Sequence, residues 1–248
     1  MSHRTFSKEE LAAYLHLSVD SIAEMARQGE IPHAMRGERL VFQQHEIDVW
    51  ASRRIIGMSG QGLRDYHGKS SRQMHTPDKK GALIPSLILP GFIFPSLASK
   101  TKASALKNLV LLADQTGRVA SADDLRASLE ERERMGSTSL PGGLAIPHPA
   151  HHEPYLFVDS FVLVARTAHP IPYGSPLGEM TDLLFLMCCC DDQLHLHLLA
   201  RLCMMCHHTT LLLQLRETRD PEVMLHALLA AEEEVLAAAA KNATPPAK

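Results

Sequence analysis

Along the first fifty residues, apolar positions recur at helical spacing in short runs separated by turn residues. Ser7 and Glu10 stand three apart just ahead of Leu11, Ala12 and Leu15, the spacing of a capping box, and predict a short first helix. Leu17-Ser18 then reads as a tight turn, with Ser18 capping a second helix that faces Ile22, Met25 and Ala26 inward and ends at Gly29. Ile31-Pro32 leads into a hairpin over Arg36-Gly37-Glu38 with Leu40 and Phe42 on its strands. A third helix, from about Gln44 to Arg54, buries Ile47 and Trp50.

After residue 82 the pattern changes to helices alternating with apolar runs of strand length. Leu106, Leu109, Val110 and Ala113 lie on one face of a helix from about Lys102 that stops near Gly117. Ser121 caps a second helix, which runs to Arg134 with Gly136 past its end. Leu156–Ala165 and Leu183–Cys190 read as strands, the second apolar enough to be buried on both faces. Asp191-Asp192 opens a helix through His207, and Asp220-Pro221 opens the last one, proline taking its first position. Strands alternating with helices predict an α/β domain.

Charge divides the chain. Residues 1–50 carry a net −3, residues 51–81 a net +5 and residues 82–248 a net −5. The basic stretch is rich in Gly, Ser, Gln and Lys and lacks periodicity, so it reads as a flexible linker. The division predicts a small module over 1–54, a linker over 55–82, a large domain over 83–236 and a loose tail over 237–248. Overall charge is −3, which gives no global attraction to nucleic acid or to an anionic membrane. The apolar stretch Leu83–Ala98 is broken by Pro85, Pro90 and Pro95, and the N-terminus lacks an apolar leader core, so neither a membrane segment nor a signal peptide is expected. Five cysteines, three of them adjacent, make poor disulfide material and point to a reducing cytoplasm.

The first block, over residues 4–54, resembles the excisionase-type (MerR-like) helix-turn-helix family through LHLSVDSI at the turn, RQGEIPH, and a wing followed by FQQHEIDVW. The resemblance implies DNA contact, for which the module offers Arg27, Arg36 and Arg39. It departs from the family at Ala23 and Glu24, where an aromatic and an arginine are common, and a carboxylate there repels phosphate. A second use for such a module is a contact between domains, or between the copies of a homodimer.

Chemistry concentrates at one place. Leu144, Ala145 and Ile146 form a short apolar run that Pro147 cuts off, and His148 emerges at the strand's end, where α/β sheets hold ligands. Gly142-Gly143 lets other groups approach the backbone closely. A neutral imidazole there has a lone pair suited to attack phosphorus and a pKa near working pH.

The ordered series ERERMGST, GLAIPHP, TDLLFLM and DDQLHLHLLARL resembles the enzyme IIA domain of the bacterial phosphotransferase system, of the fructose/mannitol type and its nitrogen-regulatory branch, over about residues 83–232. The resemblance implies a mixed sheet flanked by helices, and a phosphoryl group accepted by His148 from the histidine-containing phosphocarrier protein. Arg132 matches the family's motif arginine, whose guanidinium can fork onto phosphate oxygens. His195 matches the first histidine of the family's HLxLL motif. Residues two apart on a helix point about 200° apart, which sets His195 on the inward side with Leu198, Leu199 and Leu202. His197 falls with Arg201 and His208 on a strip read as outward and polar. Ser137 and Thr138 are candidate donors to the same phosphoryl oxygens. Pro149, His151, His152 and Ser139 depart from the family pattern around the nucleophile.

Metal binding is the rival chemistry. Cys203 and Cys206 have C-x₂-C spacing, but on a helix this packs both thiols inward, and no second pair exists. No metal site and no cofactor are therefore expected. The sequence supports a phosphoryl-accepting regulatory protein coupled to DNA binding, or alternatively a non-catalytic module of the same fold that regulates partner proteins.

Overall fold

The computed structural model describes residues 4–73, 81–150 and 155–243. The N-terminal elements are β1 (Thr5–Phe6), α1 (Lys8–Leu15), α2 (Val19–Gln28), β2 (Ala34–Arg36), β3 (Arg39–Gln43) and α3 (Gln44–Ile56). Ser7 and Glu10 close the capping box reciprocally, Ser18 caps α2, and Gly29 ends it at φ 70°. The three strands pair antiparallel in the order β1-β3-β2. Ile47, Ala51 and Ile55 turn one face of α3 into this small core. Trp50 is only partly buried, its indole N–H donating to the Glu30 carbonyl at 2.6 Å.

Residues 60–73 correct the expectation of a flexible linker. They form α4 (Gly60–Gln73), with Leu63, Tyr66, His67 and Ser70 buried. Half of that stripe is polar, so hydrophobic periodicity does not reveal it; its partners are polar groups on another helix. Residues 74–80 lie outside the described residues.

The larger domain comprises α5 (Ile84–Leu87), a 3₁₀ turn at Pro90–Phe92, β4 (Ile93–Leu97), α6 (Lys102–Gln115), α7 (Ala122–Arg134), β5 (Ser139–Leu140) and β6 (Leu144–Ala145). It continues with β7 (Phe161–Ile171), β8 (Thr181–Cys188), α8 (Asp192–His208), α9 (Leu211–Glu217) and α10 (Pro221–Ala243). Its five strands run in the order β4-β7-β8-β6-β5, with β4–β7 and β6–β8 parallel and the other pairs antiparallel. This is the expected mixed sheet flanked by helices.

Three local expectations shift. The strand predicted from Leu156 starts at Phe161, because Leu156–Val158 pair instead with Arg118–Ala120. Residues 237–243, expected to be loose, continue α10, while 244–248 lie outside the described residues. His197 and Arg201, expected on an outward strip, are buried because α4 covers that side of α8.

Beneath α4 the Arg201 Nε–H donates to His67 Nε2 at 2.6 Å, and its Nη1 pairs with Glu232 at 2.6 Å. Ser70 Oγ lies 2.8 Å from His197 Nδ1, and the His67 and His197 rings stack 5.8 Å apart. Burial and then the Arg201 charge hold both rings down to about 3, with His197 adding to the effect on His67 and His16 to that on His197. No single described helix is long and apolar enough to cross a membrane.

Stability is therefore expected to fall in acid. An unfolded histidine takes up its proton near pH 6.5, while the folded pair stays neutral until about pH 3. The contribution of each ring is complete above pH 6.5 and is lost below it at up to about 1.4 kcal/mol per pH unit. Thermal unfolding at pH 7, 6 and 5 should show a falling midpoint, flattened in the variant carrying His67→Gln and His197→Gln.

Candidate functional site

Strand β6 sets the position of His148. Ala145 and Leu144 pair with β8, and beyond them the Ile146 N–H donates to the Thr138 carbonyl at 3.0 Å. The Pro147 carbonyl accepts from Met187 at 2.9 Å, so the chain leaves the sheet only at His148. On the far side the Ala150 N–H donates to Ser128 Oγ on α7 at 3.0 Å. The loop is held at both ends.

The imidazole is fixed as well. His148 Nδ1 lies 2.8 Å from the Ile146 carbonyl, which can only accept, so Nδ1 carries the proton. The Nε2 lone pair then receives the Arg132 Nε–H at 3.0 Å. Arg132 Nη1 donates to the Gly136 carbonyl at 2.9 Å, while Nη2 is buried without a hydrogen-bond partner among the described residues. Burial is the main effect drawing this guanidinium down, to about 10, with Arg53 adding to it and Glu133 opposing, and it remains a cation at neutral pH.

His195 sits in the first turns of α8, behind an Asp191 cap whose side chain accepts from the Leu194 N–H at 2.8 Å. Its ring centre is 4.9 Å from that of His148. The ring also meets the small module, with Ser52 Oγ on α3 lying 3.0 Å from His195 Nε2. Sequence pattern places Ser52 on a helix but does not say which domain that helix covers.

Arg132, His148 and His195 thus converge, and each is about 1% exposed. Ser137 and Thr138 are not brought to them. The Thr138 hydroxyl donates to Glu133, and the Ser137 hydroxyl donates to Ser139 Oγ at 3.0 Å. Glu133, which sequence reading passed over, also accepts from Tyr173 at 3.1 Å and pairs with Lys102 at 3.2 Å. It organises the loop beside the site, drawing Thr138 away. The Gly142-Gly143 backbone is approached closely, but by Arg216 rather than by a ligand: Arg216 Nη2 donates to the Gly142 carbonyl at 2.6 Å. A Cβ on Gly143, at φ +76°, would lie 2.8 Å from that nitrogen.

The arginines considered for DNA lie elsewhere. Arg36 and Arg39 face each other across the exposed β2–β3 turn, while Arg27 pairs with Glu24 on the outer face of α2. His151 and His152 lie outside the described residues. Cys203 and Cys206 are buried in α8, and burial pushes both thiols up.

Residues 86–231 match the family described as phosphoenolpyruvate-dependent sugar phosphotransferase system, EIIA 2. The chain belongs to this family. Residues 5–55 match a helix-turn-helix domain family. A nitrogen regulatory protein of Bradyrhizobium diazoefficiens is 31% identical over 148 residues, covering 58% of this chain and 94% of that protein. The crystal structure of nitrogen regulatory protein IIA-Ntr from Neisseria meningitidis superposes with a TM-score of 0.54 at 23% identity, over 59% of this chain and 99% of that one. Enzyme IIA mannitol of Escherichia coli gives 0.51 at 16% identity, over 57% of this chain and 98% of that one. At these identities the structural likeness is one of fold. The EIIA-type domain therefore carries its histidines and Arg132 on the family's scaffold, with the helix-turn-helix module laid against them.

The hydrogen bonds assign one tautomer to the nucleophile candidate. Nitrogen-15 NMR of ring-labelled protein at pH 7 should show neutral His148 protonated at Nδ1, and a ring protonated at Nε2 would contradict the assignment.

Proposed function

We propose that His148 accepts a phosphoryl group on Nε2 from a phosphohistidine donor, the histidine-containing phosphocarrier protein, and that this state governs the helix-turn-helix module. The observation that carries the proposal is the Arg132–His148 contact, in which a buried, charged guanidinium meets the imidazole lone pair and has a further N–H unmatched. A buried cation with a vacant donor beside a nucleophile is suited to an anion with several oxygens.

In the proposed step the donor's P–N bond breaks as a bond forms from phosphorus to His148 Nε2. The electron pair of the broken bond stays with the donor imidazole. The Ile146 carbonyl keeps the Nδ1 proton in place, leaving Nε2 free of hydrogen for the in-line displacement. Arg132 gives up the Nε2 lone pair and turns its N–H groups to the phosphoryl oxygens. His195, whose ring centre is 4.9 Å from that of His148, donates to the same oxygens in this reading once its Nε2 is released from Ser52. No water takes part, and the group can pass back by the same route.

The regulatory half rests on the family of residues 5–55 and on the exposed pair Arg36 and Arg39 at the wing. These arginines reach DNA phosphates in our reading, while Asp20 and Glu24 on α2 keep such contact weak and salt-dependent. Both readings predict measurable outcomes.

With phosphoenolpyruvate, enzyme I and the phosphocarrier, an acid-labile, alkali-stable label is expected on the protein. It should vanish in His148→Ala and form about 10²-fold more slowly in Arg132→Ala, as for removal of one charge-stabilising donor. Absence of label would leave a non-catalytic regulatory module.

Gel shifts on genomic fragments should show binding that falls steeply with salt and is lost in the variant carrying Arg36→Ala and Arg39→Ala. Unchanged shifts in that variant would remove the wing from the interface.

A further inference from the structure

Resting on that reading, we propose that the helix-turn-helix module is a lid on the phosphoryl site: the chain is self-inhibited in this closed form, and α3 must part from His148 before a donor can reach it. Asp48, Val49 and Ser52 of α3 form one side of a seam whose other side is Arg132, His148, Pro149, Ala150 and His195. The seam leaves no room for a water molecule, and so none for a phosphoryl group. The donor is itself a protein, and a standard interface needs about 800 Å² on each partner. That area is not available around a ring that α3 covers.

The closed form also engages the reacting atoms. Arg132 occupies the His148 Nε2 lone pair, and Ser52 occupies the Nε2 edge of His195. Both must be released for transfer. Arg53 leans on the loop from the lid side, and a Cβ on Gly136, at φ +148°, would stand 3.0 Å from its guanidinium.

The lid is built to separate. Its apolar face, with Ile47, Ala51 and Ile55, belongs to the module's own core, whereas the face on the site carries Asp48 and Ser52 with Val49 as its apolar member. Asp48 is held by the Tyr14 hydroxyl at 2.7 Å, and Gln44 donates to Asp192 at the start of α8. Parting exposes polar groups that water can satisfy, and leaves the module's core intact.

Charge then sets the direction of coupling. A phosphoryl group on His148 brings about −1.5 to −2 charges, the range for a phosphorylated side chain, next to the buried Asp48 carboxylate. Arg53 is exposed to water and offsets this only weakly. Phosphorylation therefore opposes closure, and by reciprocity closure opposes phosphorylation.

The test uses the full chain and two independent openings of the seam. Ser52→Trp overfills it, and Val49→Arg sets a cation against Arg132 and Arg53; circular dichroism checks that both variants fold. Modification by diethylpyrocarbonate, read by mass spectrometry, compares His148 with the exposed His169 and His226. In the wild type His148 should react at least about tenfold more slowly than these two, and in both variants it should approach their rate. Labelling through the phosphocarrier should accelerate about tenfold or more in parallel, since apparent reactivity scales with the open fraction. If wild-type His148 reacts as fast as His169, the lid does not exist. If both variants expose His148 without faster labelling, closure does not regulate transfer. If protection behaves as expected and no form is ever labelled, the occlusion is supported and the phosphoryl reading is overturned.

Discussion

A guanidinium taken out of water has to be answered by acceptors, and the arrangement of this protein follows from how two of them are answered. Arg132 and Arg201 are both almost fully buried, and each donates its Nε–H to the Nε2 of a histidine. An imidazole can accept only while neutral, so each arginine forces its histidine into one protonation state and one tautomer. Around Arg201 the demand is completed by Glu232, giving a closed structural network. Around Arg132 it is left incomplete, and that difference separates a site from a staple.

Much of the fold was legible because its signals are local. Ser7 with Glu10, Ser18 with Gly29, and Asp191 ahead of α8 are caps whose partners lie within a few residues. The continuous apolar runs declared the two central strands. The site triad was legible through motif resemblance, which fixed Arg132, His148 and His195 without reference to their contacts. What remained hidden depends on distant partners. The buried face of α4 mixes Leu63 and Tyr66 with His67 and Ser70, and only His197 and Arg201 make that mixture sensible. His197 was misread for the same reason. Thr138 appeared suited to a phosphate because hydroxyls in such loops often are, but a neighbouring carboxylate claims it.

The relation between the two modules was the least legible feature. Composition separates them in charge, and that separation predicts two units held apart by a linker. The structure instead joins them twice, through a polar seam at α3 and through the histidine-bearing face of α4. The first junction is made of single hydrogen bonds between polar groups, and the second includes the bond from the buried Arg201 guanidinium to His67. Parting at α3 is therefore the easier of the two, because parting at α4 would take an acceptor from a buried cation.

Glu232 extends this reasoning to the end of the chain. Its carboxylate oxygens accept the backbone N–H groups of Leu83 and Ile84, at 2.8 and 3.0 Å, as well as the Arg201 guanidinium. One side chain on the final helix thus clasps the doorway through which the chain enters its second domain. Trimming α10 back past that carboxylate would strip the partner from a buried arginine and the acceptor from two amides nearly a hundred and fifty residues earlier, so in this protein a change at the carboxyl end is also a change at the domain junction.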